Sequence, residues 1–427
     1  MLTLSYTAQV VLAGVTVLGV AAGVVGSLAL LRRQSLLSDA LAHAALPGVC
    51  LAFLLTHSKS SLPLLLGALV AGLLGALLVV AIVRLSRIKE DAAIGVVLSV
   101  FFALGIVLLT RIQKLPFGNQ SGLDKFLFGQ AATLMPRDVA LIAALATLAL
   151  LAVGVFYKEL KLLCFDREFG QTQGLAMRRI ELLLTLLLVT VVVVGLQAVG
   201  VVLMVAALIT PAAAARQWTD RFGVMLLVAA ALGGGVAAAG VVLSARVANA
   251  PTGPAIVVVS SAVLVVSLLF APQRGLIWAR LASRKVAGRI RRENLLKDLY
   301  LHAERRGAES LAPVPWRELM GIRGQSRKGI GGLARSLARQ GLLTLDDRGL
   351  ALSAAGFAEA EGVVRRHRLW EVYLTRRLEL PSDHVHRDAE VMEHALSSEA
   401  VRDLEELLGW PEMDPHGRPI PRRRALA

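Results

Sequence analysis

Charge is scarce over most of this 427-residue chain, and the first 31 residues carry none at all. Charged residues make up 18% against 56% hydrophobic, with a mean hydropathy of +0.64, which excludes an ordinary cytosolic enzyme and implies several bilayer-spanning segments. The uncharged start lacks the basic n-region of a cleaved signal peptide and is too long an apolar run for one, so it is expected to persist as a membrane helix. Cysteine is nearly missing. Cys50 and Cys164 lie far apart in or beside apolar stretches, which excludes a disulfide framework and a CxxC metal knuckle and leaves both as packing residues. Also missing is any G-x-x-x-x-G-K-[ST] phosphate loop; the glycines from Gly321 to Gly329 do not have that spacing, so the chain is expected to bind no nucleotide.

What charge there is leans basic, with 46 Lys+Arg against 31 Asp+Glu for a net +15. Residues 1–270 hold 18 basic and 10 acidic side chains, whereas the shorter remainder holds 28 and 21. Two regimes therefore share the chain. In the first, uncharged runs of about 20 residues mark spans near 7–31, 62–83, 93–110, 138–157, 223–245 and 254–271. The segment 35–56 is a further span, apolar apart from Asp39 and His43, and the long run 180–209 breaks at Gly195–Gly200 into spans near 181–196 and 199–215. That makes about nine.

With the N-terminus outside, Arg32-Arg33, Arg84/Arg87/Lys89, Lys158/Lys161/Arg167/Arg178/Arg179 and Arg216/Arg221 fall on one side, which marks it as cytoplasmic. The tail lands there too, opening with Arg274, Arg280, Arg284, Lys285, Arg289, Arg291 and Arg292 before its first acid, Glu293. The loop 111–137, with Arg111, Lys114, Lys125 and Arg137, is the exception on the outer side.

Asp39 and His43 are four residues apart and so share a helix face. A carboxylate and an imidazole there can bind a divalent transition metal, and an intramembrane Asp is a functional hypothesis by default. The alternative is a plain ion pair of Asp39 with Arg32, Arg33 or a neighbouring helix. Pro47-Gly48, just beyond, predicts a kinked or interrupted helix.

Past Pro272 the pattern turns to helical periodicity with dense charge. Residues 288–306 read as an amphipathic helix, and Pro313-Val314-Pro315 breaks the chain. Segments 316–321, 325–340 and 341–352 then read as helix, second helix and a hairpin turning near Asp347-Arg348-Gly349, the order of a winged helix-turn-helix. Arg327, Lys328, Arg335 and Arg339 lie on or near the second helix, as a DNA-reading element requires; winged helices also serve as protein-docking modules, and Gly329, Gly331 and Gly332 weaken this helix. Five of the eight histidines fall between 367 and 416. His367 and Glu371 are four apart, and His386, Glu390, Glu393 and His394 share one side of a predicted helix, a donor set suited to Mn(II), Fe(II) or Zn(II); a solvated helix face is the alternative.

The stretch from Arg33 to Val49, RQSLLSDALAHAALPGV, closely resembles the signature of the permease subunits of manganese/zinc/iron ABC importers, and 90–96, 199–213 and 251–254 resemble the same family. The resemblance covers about residues 7–271. It implies that Asp39 and His43 contact metal along a translocation path. It also implies that 165–174, with Asp166, Glu168 and Gly174, is the coupling helix that docks on an ATPase. By the same likeness the chain works with a separate ABC ATPase subunit, an extracytoplasmic metal-binding protein and a second permease chain, identical or related, in a bacterial inner membrane.

Residues 291–421 resemble metal-dependent repressors of the diphtheria-toxin-repressor and manganese-transport-regulator type, through Arg366–Glu371, His386–Ser397, Pro411 and Pro415–Pro421. This implies metal ligation by His367, Glu371, His386, Glu390, Glu393 and His394, and Glu390 in place of a cysteine resembles the manganese-sensing branch. The family's first helix supplies further ligands, and the matching positions here are Asn294 and Lys297, an ammonium that repels a cation.

The expectation is thus an all-α polytopic membrane protein, like a type II ABC importer permease, followed by a cytoplasmic winged helix-turn-helix and a helical metal-binding and dimerisation domain. Its divisions are 1–271, a basic linker 272–290, 291–362 and 363–427. The expected function is transport of divalent metal, manganese first and zinc or iron next, with the same ion as effector. A membrane-tethered, metal-dependent DNA-binding regulator is the alternative.

Overall fold

A backbone crossing hydrocarbon has to satisfy its own hydrogen bonds, so the uncharged runs become helices. The computed structural model describes residues 6–58, 60–114, 134–247, 250–307, 312–324 and 326–422. It divides into two compact units, 1–279 and 280–427.

The first unit contains α1 (Tyr6–Leu31), α2 (Ser35–Thr56), α3 (Ser61–Leu85), α4 (Glu90–Gln113), α5 (Pro136–Val155), two short helices α6 (Tyr157–Phe165) and α7 (Arg167–Thr172), then α8 (Met177–Ala198), α9 (Val201–Trp218), α10 (Phe222–Arg246) and α11 (Thr252–Phe270). Among the described residues eight helices are long and apolar enough to cross a membrane, and the chain is a multi-pass membrane protein. The ninth expected span exists as a separate helix, α9, which has 18 residues, contains Pro211 and is not one of those eight. The expected break between α8 and α9 falls at Gly200, whose φ of +92° is readily reached only without a side chain. Of the exceptional outer loop, Lys125 lies outside the described residues.

Helix α1 is the hub, packed against α5, α8, α9 and α10, while α2 packs on α3 and α4. Lipid-like surroundings offer no hydrophobic drive between helices, so close backbone approach does the packing. Gly19 and Gly23 form a G-x-x-x-G pair on α1: a Cβ at Gly23 would fall 2.1 Å from the Ala229 carbonyl oxygen, and one at Gly19 would fall 2.4 Å from that of Gly233. The same device joins α2 to α3 at Gly48 and Gly67. Of the expected kink or interruption at Pro47-Gly48, the interruption is not seen. Pro47 sits inside a helix that runs unbroken from Ser35 to Thr56, and Gly48 serves the crossing.

One end of this bundle gathers charge. Glu181 on α8 pairs with Arg32 after α1 at 3.2 Å and with Arg167 on α7 at 2.9 Å. A groove beside it is lined by Gln34, Arg84, Glu90, Arg167, Arg178 and Glu181. Asp220, just past α9, bridges Arg216 in the last turn of α9 and Arg274 after α11.

The second unit is mixed. Its helix α12 (Leu276–Arg305) begins in the expected linker and buries Leu295, Leu296 and Leu299. Next come β1 (Val314–Pro315), α13 (Trp316–Arg323), α14 (Arg327–Arg339), β2 (Leu343–Asp346) and β3 (Gly349–Leu352), then α15 (Ala354–Arg377), α16 (His386–Met392) and α17 (Ser398–Leu408). The three strands order as β1-β3-β2, all antiparallel, which makes the wing. Pro313-Val314-Pro315 is therefore more than a break: Val314 pairs with Leu350, and a Cβ at Gly349 would lie 2.0 Å from the Val314 carbonyl oxygen. A core of Leu295, Leu299, Leu319, Ile330, Leu337 and Leu350 joins the helices to the wing, and a smaller one of Leu369, Val372, Leu404, Leu408 and Ile420 sits beyond.

Candidate functional site

Two groups of side chains carry chemistry, one in each unit. On α2, His43 Nε2 stands 3.4 Å from Asp39 Oδ1, as their four-residue spacing predicts. The His43 ring meets Phe102 edge-on at 4.7 Å, and its Nδ1 is buried with no hydrogen-bond partner among the described residues. Asp39 forms no ion pair with Arg32, because Arg32 is held by Glu181.

The expected coupling residues divide by role. Asp166 caps α7, its Oδ1 accepting from Phe169 N–H at 2.9 Å, and Gly174 ends the segment at φ +76°. Only Glu168, exposed with its neighbour Phe169, has a side chain left for a partner.

In the second unit the chain brings three of the six expected ligands together. Helical spacing puts His367 and Glu371 one turn apart on the buried side of α15, and α16 supplies His386. His367 Nε2 lies 3.2 Å and His386 Nδ1 3.0 Å from Glu371 Oε1, and one ligand atom from each residue falls within 4.8 Å of the others. Two imidazole nitrogens and a carboxylate oxygen fit a first-row divalent ion, and His386, 58% exposed, leaves an open side. Burial raises the Glu371 carboxyl, but hydrogen bonds and charge from His367 and His386 outweigh it and hold the group at about 2. Burial disfavours the His367 imidazolium, yet Glu371 and Glu393 outweigh that and raise it above its ordinary value.

The other three expected ligands are placed differently. Helix α16 ends at Met392; Glu393 caps it, still in a right-handed helical conformation with its N–H donating to the Ala389 carbonyl, and His394 lies in the following turn. Glu390 is exposed, 3.7 Å from His386 Nε2. Glu393 is fully buried, and both its oxygens accept from Lys297 Nζ, at 2.8 and 2.9 Å. His394 Nδ1 meets Glu293 Oε2 at 2.5 Å and its Nε2 meets Asn294 Oδ1 at 2.9 Å. Burial pushes the Glu393 carboxyl up, while His367 and Lys297 more than reverse this and lower it. His416, not among the expected ligands, has Nε2 3.9 Å from Glu371; a lone histidine so far along the chain offers no spacing signal. Arg327, Lys328, Arg335 and Arg339 are all exposed; the last three lie on the face of α14 opposite Ile330, Ala334 and Leu337, and Arg327, in its first turn, lies 5.0 Å over the Trp316 ring.

Known proteins are similar to both units. Residues 353–422 match the family described as iron dependent repressor, metal binding and dimerisation domain. The chain is 41% identical to the manganese transport system membrane protein MntC of Bacillus subtilis (strain 168), over 87% of this chain and 85% of that one, so the likeness runs into the second unit. It is 48% identical to the zinc transport system membrane protein TroC of Treponema pallidum (strain Nichols), over 66% of this chain and 95% of the relative. Among solved structures, PsaBC from Streptococcus pneumoniae in complex with Fab is similar at a TM-score of 0.57, with 32% identity, covering 63% of this chain and 94% of that one. Residues 4–271 match the ABC 3 transport family, and the chain belongs to it.

Proposed function

We propose that this chain is the permease subunit of an ATP-driven importer of divalent transition metal, manganese first and zinc or iron next, with a cytoplasmic metal-sensing unit behind it. The observation that carries the transport reading is the Asp39–His43 pair, with its unpartnered His43 Nδ1 in the interior of a metal-transport family fold. Two donors with no third His, Cys, Asp or Glu in reach among the described residues suit a cargo ion that must bind and leave. The named metals of the relatives support manganese or zinc as that cargo. Hydrolysis belongs to a separate ATPase subunit, and a metal-binding protein outside and a second permease chain complete the assembly.

Coupling follows the Glu181 bridge. An ATPase docked against α7 pushes on Arg167, through Glu181, on Arg32, three residues before α2 and its Asp39 and His43. The end that gathers these arginines is cytoplasmic by its charge. His367, Glu371 and His386 hold the regulatory ion, whose charge offsets the Glu371 carboxylate.

Metal accumulation in cells expressing Asp39→Ala or His43→Ala tests the transport site. Loss of uptake at unchanged membrane abundance is expected; normal uptake would remove the pair from the path.

A further inference from the structure

Of the six expected regulatory ligands, three converge and two are fully engaged elsewhere, and the engagement centres on one side chain. Lys297 is buried, 7% exposed, and its ammonium donates to both oxygens of Glu393, a carboxylate with no exposure at all. That lysine comes from α12, while Glu393 lies 96 residues later, just past α16. The neighbouring His394 has an oxygen acceptor at each ring nitrogen, Glu293 on one side and Asn294 on the other. Glu293 is itself held by Arg289 at 2.9 Å and faced by Arg366 at 3.7 Å. Three fixed cations already surround these two carboxylates, and no imidazole nitrogen is left to give. A divalent ion entering here meets repulsion without ligands.

We propose that Lys297 stands in for a second metal ion, as a cation built into the chain, so that each copy of the unit takes one regulatory divalent ion, at His367, Glu371 and His386. The proposal rests on the reading of that trio as a metal site. It also gives Glu393 a task. A carboxylate accepts hydrogen bonds, so its contact with His367 Nδ1 at 2.5 Å makes Nδ1 the donor. When the ring gives up its other proton, Nε2 is the nitrogen left with a lone pair, and it is Nε2 that faces Glu371 and His386. Glu393 thereby acts as a positioning residue behind the ligand, as carboxylates commonly do behind metal-binding histidines, and Lys297 keeps it in place.

The experiment counts metal on the full-length, chelator-stripped protein in detergent, with Asp39→Ala and His43→Ala present throughout so that cargo binding is silent. Equilibrium dialysis against Mn(II) followed by elemental analysis is expected to give one ion per chain. The Mn(II) paramagnetic resonance spectrum should be that of an isolated ion. Two ions per chain, or a spin-coupled pair, would overturn the proposal without any change at Lys297. Lys297→Asp is expected to raise the count to two, and Lys297→Arg to leave it at one; a folded Lys297→Asp protein that still binds one also counts against the idea. The underlying site is judged separately. Glu371→Ala with His386→Ala should abolish the single ion, and if one ion remains, the reading of the trio fails.

Discussion

Glu371 and His367 set opposite ends of a pH window. Glu371 is held down at about 2 from 4.5, so its contribution to stability is present above 4.5 and is lost as pH falls toward 2. His367 is raised above 6.5, so its contribution is complete below 6.5 and disappears as pH climbs through the raised value. The metal-free protein should therefore melt at a lower temperature at pH of about 8.5 than at about 6, and Mn(II) should restore the loss, since an ion replaces the proton that joins the two side chains. Thermal unfolding of the full chain with chelator and with Mn(II) checks this, and a flat metal-free profile would contradict it. His367, Glu371 and His386 were legible because spacing of four on a helix means one face. The partners of Glu393 and His394 were not legible, because helical spacing places side chains on one side without saying what they meet. The lysine that engages Glu393 is 96 residues away, beyond the reach of any periodicity.

Helices in the first unit were legible for a simple reason: hydrocarbon leaves the backbone no other choice. Their crossings were not, since a glycine in an apolar run looks alike whether it faces lipid or another backbone. Gly23→Val adds a Cβ 2.1 Å from the Ala229 carbonyl and cannot be accommodated without parting α1 from α10. A penalty of about 1–3 kcal/mol or more should appear as loss of monodisperse protein in detergent size-exclusion chromatography. Gly235→Ala on the same α10, where nothing lies within 4 Å, is expected to behave as wild type. The Glu181 bridge, in the coupling role proposed for it, makes a functional prediction of the same kind. Glu181→Ala frees α7 from Arg32, and is expected to lower metal uptake several-fold while abundance and metal-independent ATP hydrolysis by the assembled complex persist; unchanged uptake would show that the bridge transmits nothing. The wing was legible from its Asp347-Arg348-Gly349 turn, whereas β1 was hidden by the prolines that flank Val314.

Taken whole, the molecule carries two donor sets of different character, a pair in the membrane unit and a trio in the other. On the proposed function, the pair releases metal readily and the trio retains it, so the second set should fill as metal accumulates in the cell and then restrain further entry. In cells loaded with manganese, Glu371→Ala with His386→Ala is expected to keep importing after the wild type has slowed, with initial rates alike at low manganese. Identical saturation behaviour in radiotracer uptake would end the feedback idea. Seven of the basic residues converge on only four carboxylates, Arg32 and Arg167 on Glu181, Arg216 and Arg274 on Asp220, Arg289 and Arg366 on Glu293, and Lys297 on Glu393. The backbone crossings of α1 with α10 and of α2 with α3 reach further than packing. Every missense change of a glycine codon, in any of its four spellings, introduces a β-carbon, so Gly19, Gly23, Gly48, Gly67 and Gly233 have no tolerated neighbour in the genetic code. At these five positions the gene can drift only silently.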